Sequence, residues 1–141
     1  MRSTRRTIGE FKTLKDRRIR TANNMEVRQE NIKKIIGHLR DVLAIGDRPF
    51  RAKDFHRICR IDQIEVLYIN SGVSFILKPA DVGSPTTIAI SRKAIGRKRT
   101  FQMFHELGHY LCNHTKGHAE ALQEAEADLF ATLTTGFSRR H

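Results

Sequence analysis

Phe101 to His114 reads FQMFHELGHYLCNH, and at its centre His105-Glu106-Leu107-Gly108-His109 sets two imidazoles four residues apart with an acid directly after the first. Residues four apart on an α-helix share a face one turn along, so this spacing predicts a helix that turns both imidazoles toward one ion. Zinc accepts imidazole nitrogen at about 2.0–2.1 Å, and a catalytic zinc leaves one position open for water. Glu106 falls beside that position and is placed to take the water's proton. Phe101, Phe104, Leu111 and Cys112 recur at helical spacing through the same segment, which predicts a partly buried helix. Two histidines and a glutamate on such a helix are costly unless they have partners. The bland alternative is a pair of histidines satisfied in the core or on the surface.

A third ligand is expected from the next helical segment, Leu122 to Ala131, LQEAEADLFA. Glu124 and Asp128 are four apart and share a face, with Ala127, Phe130 and Ala131 on or near it, so that face is expected to turn toward the core. Glu126 lies about 200° around the helix from Glu124 and is expected to point away. The reading is Glu124 as ligand, Asp128 as the acceptor that orients a ligating histidine, and Glu126 as the alternative ligand. The small residues Ala125, Ala127 and Ala131 would let the two helices approach closely. Cys112 reads as core. Tyr110, His114 and His118 are candidates for substrate or transition-state contacts, against a solvated-loop reading for the two histidines. His38 and His56 fall in helices outside the cluster.

Working outward, residues 97–114 and 118–135 are expected to be helices separated near Gly117. Before them, Ile64 to Ile69, Val73 to Leu77 and Thr86 to Ser91 are rich in Ile, Val and Thr and read as strands, with Asn70-Ser71-Gly72 as a tight turn joining the first two. A short helix fits 52–60. A longer one runs from a cap at Asn24 to about Ile45, its stripe being Ile32, Ile35, Ile36, Leu39, Val42 and Leu43. Helices, a small sheet of about three strands, then helices is an α+β order without repeated βαβ units. Residues 1–24 read as a flexible basic arm with a short helical turn around Phe11 to Ile19, and 25–141 as a single domain.

The net charge is +11, but residues 1–60 hold 17 Lys/Arg against 7 Asp/Glu while the remainder holds 9 against 8. The basic character therefore belongs to the N-terminal part. Such an arm can meet nucleic acid or an acidic partner, or simply stay solvated. No stretch approaches the roughly 18 apolar residues of a membrane helix, and the N-terminal arginines precede no apolar signal segment. Two distant cysteines, Cys59 and Cys112, form no disulfide framework and suit a reducing cytoplasm.

The run from Arg99 to His109, the strand TTIAIS before it and EAEADLFA after it together resemble the ImmA/IrrE family of metallopeptidases, over about residues 50–137. That resemblance implies a reduced thermolysin-like α+β core with one zinc per chain. Carried over, His105, His109 and Glu124 would be the ligands, Glu106 the catalytic acid–base and Asp128 the supporting acid. It also implies a helix-turn-helix repressor of a mobile element or stress response as the substrate. Two departures stand out. After Ala131 the chain reads Thr132-Leu133-Thr134-Thr135-Gly136-Phe137 where relatives continue through a Leu-Leu-Met-Pro-like stretch, so the substrate cleft is expected to be incomplete or completed by a partner. The basic arm matches no family feature.

Three functions follow from these residues: a zinc endopeptidase, a zinc-site or degenerate domain that holds a repressor or antitoxin-like partner without cutting it, and a nucleic-acid module driven by the arm. The intact Glu106 favours the first.

Overall fold

A computed structural model of the chain describes residues 25–79, 81–112 and 120–138. The expected arm, its turn at Phe11 to Ile19, the cap at Asn24, Gly117, His114 and His118 lie outside these residues. The described elements run α1 (Met25–Leu43), α2 (Ala52–Ile61), β1 (Glu65–Ile69), β2 (Phe75–Leu77), β3 (Thr87–Ser91), α3 (Gly96–Leu111) and α4 (Glu120–Thr135). The architecture is α+β, with a three-stranded mixed sheet. No described helix is long and apolar enough to cross a membrane.

The stripe expected on α1 is the one that packs: Ile32, Ile35, Ile36, Leu39 and Leu43 are all buried. The helix stops at Leu43, two residues before the expected end, because Ala44 already takes a left-handed conformation (φ 55°). Arg40 then donates from Nη1 to the carbonyls of Gly46 and Arg48, each at 2.7 Å, and closes the turn. At the start of α2, Asp54 accepts the Arg51 N–H at 2.8 Å and a two-pronged contact from Arg48 at 2.7 and 2.9 Å. One buried carboxylate thus satisfies a helix-start donor and anchors the preceding loop.

The sheet corrects one expectation. β1 and β2 are not joined as a hairpin; β3 lies between them, parallel to β1 and antiparallel to β2. Asn70-Ser71-Gly72 therefore begins a crossing to the far edge of the sheet. The central position explains the burial of β3: Ile88, Ala89, Ile90 and Ser91 are all buried, with a paired strand along each edge. Val66, Tyr68, Ile76, Ile88 and Ile90 face the helices and join the core.

α3 occupies the middle of the molecule and packs on β3, β2, α2 and α4, while α4 also packs on α1. Phe104 is the centre of the aromatic core. Its ring meets Phe50 at 5.6 Å and Phe55 at 6.0 Å edge-on, and Phe130 at 6.4 Å. The end of α4 shows how the threonine-rich text is accommodated. Thr134 and Thr135 are buried, but their hydroxyls donate back to Phe130 and Ala131 carbonyls. The Thr134 carbonyl accepts the Phe50 N–H at 2.8 Å. Gly136 (φ 79°) then ends the helix in the left-handed conformation that glycine adopts without strain.

Candidate metal centre

The centre is built by one close helix crossing. A Cβ added at Gly108 would lie 3.1 Å from two side-chain atoms of Phe130 and 3.3 Å from the Ala127 Cα. The glycine inside HELGH therefore lets α4 lie directly against α3. Ala127 and Ala131 are buried in this packing, whereas Ala125 is exposed. Gly108 was missed as a positioning residue in the sequence, although a glycine within a strongly helical run is a local sign of close approach.

This crossing brings His105, His109 and Glu124 together. One ligand atom from each lies within 4.8 Å of the others. The Nε2 atoms of the two histidines are 3.2 Å apart, and Glu124 places Oε1 3.2 Å from His105 Nε2 and Oε2 2.7 Å from His109 Nε2. For a tetrahedral ion bonded at about 2.0–2.1 Å, neighbouring donor atoms are about 3.3 Å apart. The donor set and its spacing fit zinc.

Asp128 supplies the tautomeric argument. Its Oδ1 lies 2.8 Å from His105 Nδ1. An imidazole that donates Nδ1–H to a carboxylate turns the lone pair of Nε2 toward the cluster, which is the state a metal requires. Phe101 stacks on the His105 ring with centroids 6.4 Å apart, holding the ring from its other side. Burial is uneven across the centre: the side chains of His105 and His109 are 6 % and 14 % exposed, that of Glu124 58 %. The imidazoles line a packed floor and the carboxylate forms a rim open to solvent. Glu106 is buried on α3.

The other candidates separate clearly. Glu126 is not in the cluster; it is fully buried on the opposite flank of α4 and pairs with Arg28 of α1 at 2.8 Å. Tyr110 donates its hydroxyl to Asp62, just past the end of α2. His56 Nε2 lies 2.6 Å from the Tyr68 hydroxyl, away from the cluster. Burial, with the charge of Arg60 adding to it, pushes the His56 pKa below its ordinary value. Cys112 packs in the core, as does Cys59, whose thiol is pushed up to about 12 by burial and the nearby Asp62 charge. A thiol so disposed is neither a nucleophile nor a metal ligand at neutral pH.

Two imidazoles from an H-E-x-x-H helix, met by a carboxylate from the next helix, define the class of helix-borne metallopeptidase centres. Residues 48–134 match the family model of peptidase M78, the IrrE N-terminal-like domain. The match spans more than half of the chain, and the chain belongs to this metallopeptidase family. No curated protein and no solved structure matches it.

Proposed function

We propose that this protein is a zinc-dependent endopeptidase whose substrate is a helix-turn-helix transcriptional repressor. The observation that carries the reading is the convergence of His105, His109 and Glu124 on one point, with Glu106 intact beside them. Asp128 behind His105 supports it, since a carboxylate that accepts from Nδ1–H leaves the Nε2 lone pair facing the cluster.

His105, His109 and Glu124 would hold the ion, one per chain. Bound there, zinc would lower the pKa of a water toward about 7 and polarise the scissile carbonyl. Glu106 takes the proton of the attacking water as the C–O bond forms, and returns it to the amine as the C–N bond breaks. Asp128 keeps the His105 ring in place throughout. An extended substrate is favoured by β2, an edge strand to which a peptide can add through backbone hydrogen bonds. Ser74, just before β2, is bonded to Gln102 of α3 at 2.5 Å, which ties that edge to the helix bearing Glu106.

The repressor as substrate, the mobile-element or stress setting and the basic arm's contact with nucleic acid or an acidic partner all rest on the family resemblance and the charge distribution. A cytoplasmic setting is supported by the two buried cysteine thiols, Cys59 and Cys112. The test is incubation of the zinc-loaded protein with purified helix-turn-helix repressors, followed by mass spectrometry for new termini. Cleavage by the native protein and none by Glu106→Gln is the expected result. A repressor that is bound equally by both and cut by neither would replace the peptidase by a partner-holding domain.

A further inference from the structure

Glu126 takes no part in the metal set, yet it is more deeply buried than Glu124 and Asp128 of the same helix. Its side chain is 0 % exposed, and Oε1 accepts a hydrogen bond from Arg28 Nη1 at 2.8 Å. The Arg28 side chain is itself only 11 % exposed. It belongs to α1, which lies outside residues 48–134, the stretch that matches the family. Breaking a buried ion pair by removing one partner leaves an uncompensated charge and is strongly destabilising. α4 is therefore not free to turn about its own axis.

That restraint bears on the centre through helix geometry. At about 100° per residue, Glu124 and Asp128 lie about 40° apart, and Glu126 is about 200° from Glu124. Directing Glu126 at Arg28 directs Glu124 and Asp128 at the two histidines on the opposite flank. The Gly108 crossing sets how close α4 comes to α3. It does not set rotation as sharply, because its contacts are apolar and apolar contact is non-directional.

We propose that the Arg28–Glu126 pair is a positioning device for the metal centre, fixing the rotation of α4 and making α1 a working part of the site. The inference rests on the reading of His105, His109 and Glu124 as metal ligands. Arg28 and Glu126 are positioning residues: they act through the placement of Glu124 and Asp128.

The test uses the full chain, with zinc affinity measured by chelator competition, the visible absorption spectrum after cobalt(II) substitution, and the melting temperature. Arg28→Met and Glu126→Gln should each weaken zinc by about 10- to 100-fold, the range for residues that orient ligands, and should change the cobalt spectrum. Arg28→Met/Glu126→Met removes both charges, so it should recover the melting temperature while affinity and spectrum stay altered. This split is what a merely structural pair would not give. If the single variants do not fold, the double variant alone carries the test. Wild-type affinity and spectrum in the single variants, or affinity that recovers together with melting temperature in the double, would overturn the proposal. Failure of the wild type to bind zinc or cobalt would instead remove the metal reading, and the inference with it.

Discussion

Two acids of α4, Glu124 and Glu126, are separated by one alanine and differ in nearly every physical respect. Glu124 is more than half exposed and touches both histidines; Glu126 is fully buried and touches an arginine from α1. The exposed acid is the one placed for chemistry, and the buried acid is the one placed for structure. A metal that must keep a coordination position for water and substrate needs a rim open to solvent. A buried carboxylate with a cationic partner gives up that access and gains directionality. In the proposed reading the two flanks of α4 divide the work, Glu124 binding the metal and Glu126 holding the helix.

The largest effect should come from Glu106, the proposed acid–base on the facing helix α3. Glu106→Gln is expected to lower peptide hydrolysis by about 10²- to 10⁴-fold, the usual contribution of a general acid–base, with zinc content unchanged. Hydrolysis rate and metal analysis on the same sample check both halves. Next in size is Asp128→Asn, which should weaken zinc by about 10- to 100-fold through loss of the His105 orienter. A chelator titration reads this directly, and an unchanged affinity would move Asp128 out of the centre.

A glycine-to-alanine change at 108 probes the crossing of α3 and α4. Overpacking costs about 1–3 kcal/mol, and the better helix propensity of alanine returns about 1 kcal/mol. The net is a loss of about 0–2 kcal/mol, which should lower the melting temperature by up to several degrees. A gain of about 1 kcal/mol, the full helix-propensity return, would mean that Phe130 yields without cost.

The smallest effects concern pH and lie away from the centre. Burial and the Arg60 charge hold the His56 pKa down, so the unfolded chain binds that proton first. The contribution of neutral His56 is present above about pH 6.5 and is lost as pH falls through its folded value. At Asp54 burial acts upward, but the hydrogen bonds from Arg48 and the Arg51 N–H, with the Arg48 charge, outweigh it and hold the pKa down. Its contribution is present above about pH 3.9 and is lost as pH falls through its folded value. Melting temperatures should therefore fall in two acid steps. His56→Phe should remove the first step and Asp54→Asn the second.

The α+β class, the face of α1 and the helical placement of the histidines were legible because each rests on periodicity within one segment. The sharing of a face by Glu124 and Asp128 was legible for the same reason. Partnership between segments was not. Insertion of β3 between β1 and β2 depends on pairing among three separate segments, which no one segment records. Glu126 was legible as pointing away from Glu124. Nothing in LQEAEADLFA says that α1 waits on that side with Arg28. The face of Glu124 and Asp128, expected to turn toward the core, does so at Ala127, Phe130 and Ala131 and opens to solvent at Glu124. Tyr110 looked available beside His109, and only the fold supplies Asp62 as its acceptor.

The central claim is that His105, His109 and Glu124 form one metal site, and metal analysis with X-ray absorption on the zinc-supplied protein tests it most directly, wild type beside Glu124→Ala. The account predicts one zinc per chain in the wild type, bound by two imidazoles and a carboxylate, and its loss in the variant. A wild-type protein that holds no zinc, or a Glu124→Ala variant that keeps a full equivalent in the same coordination, would contradict it.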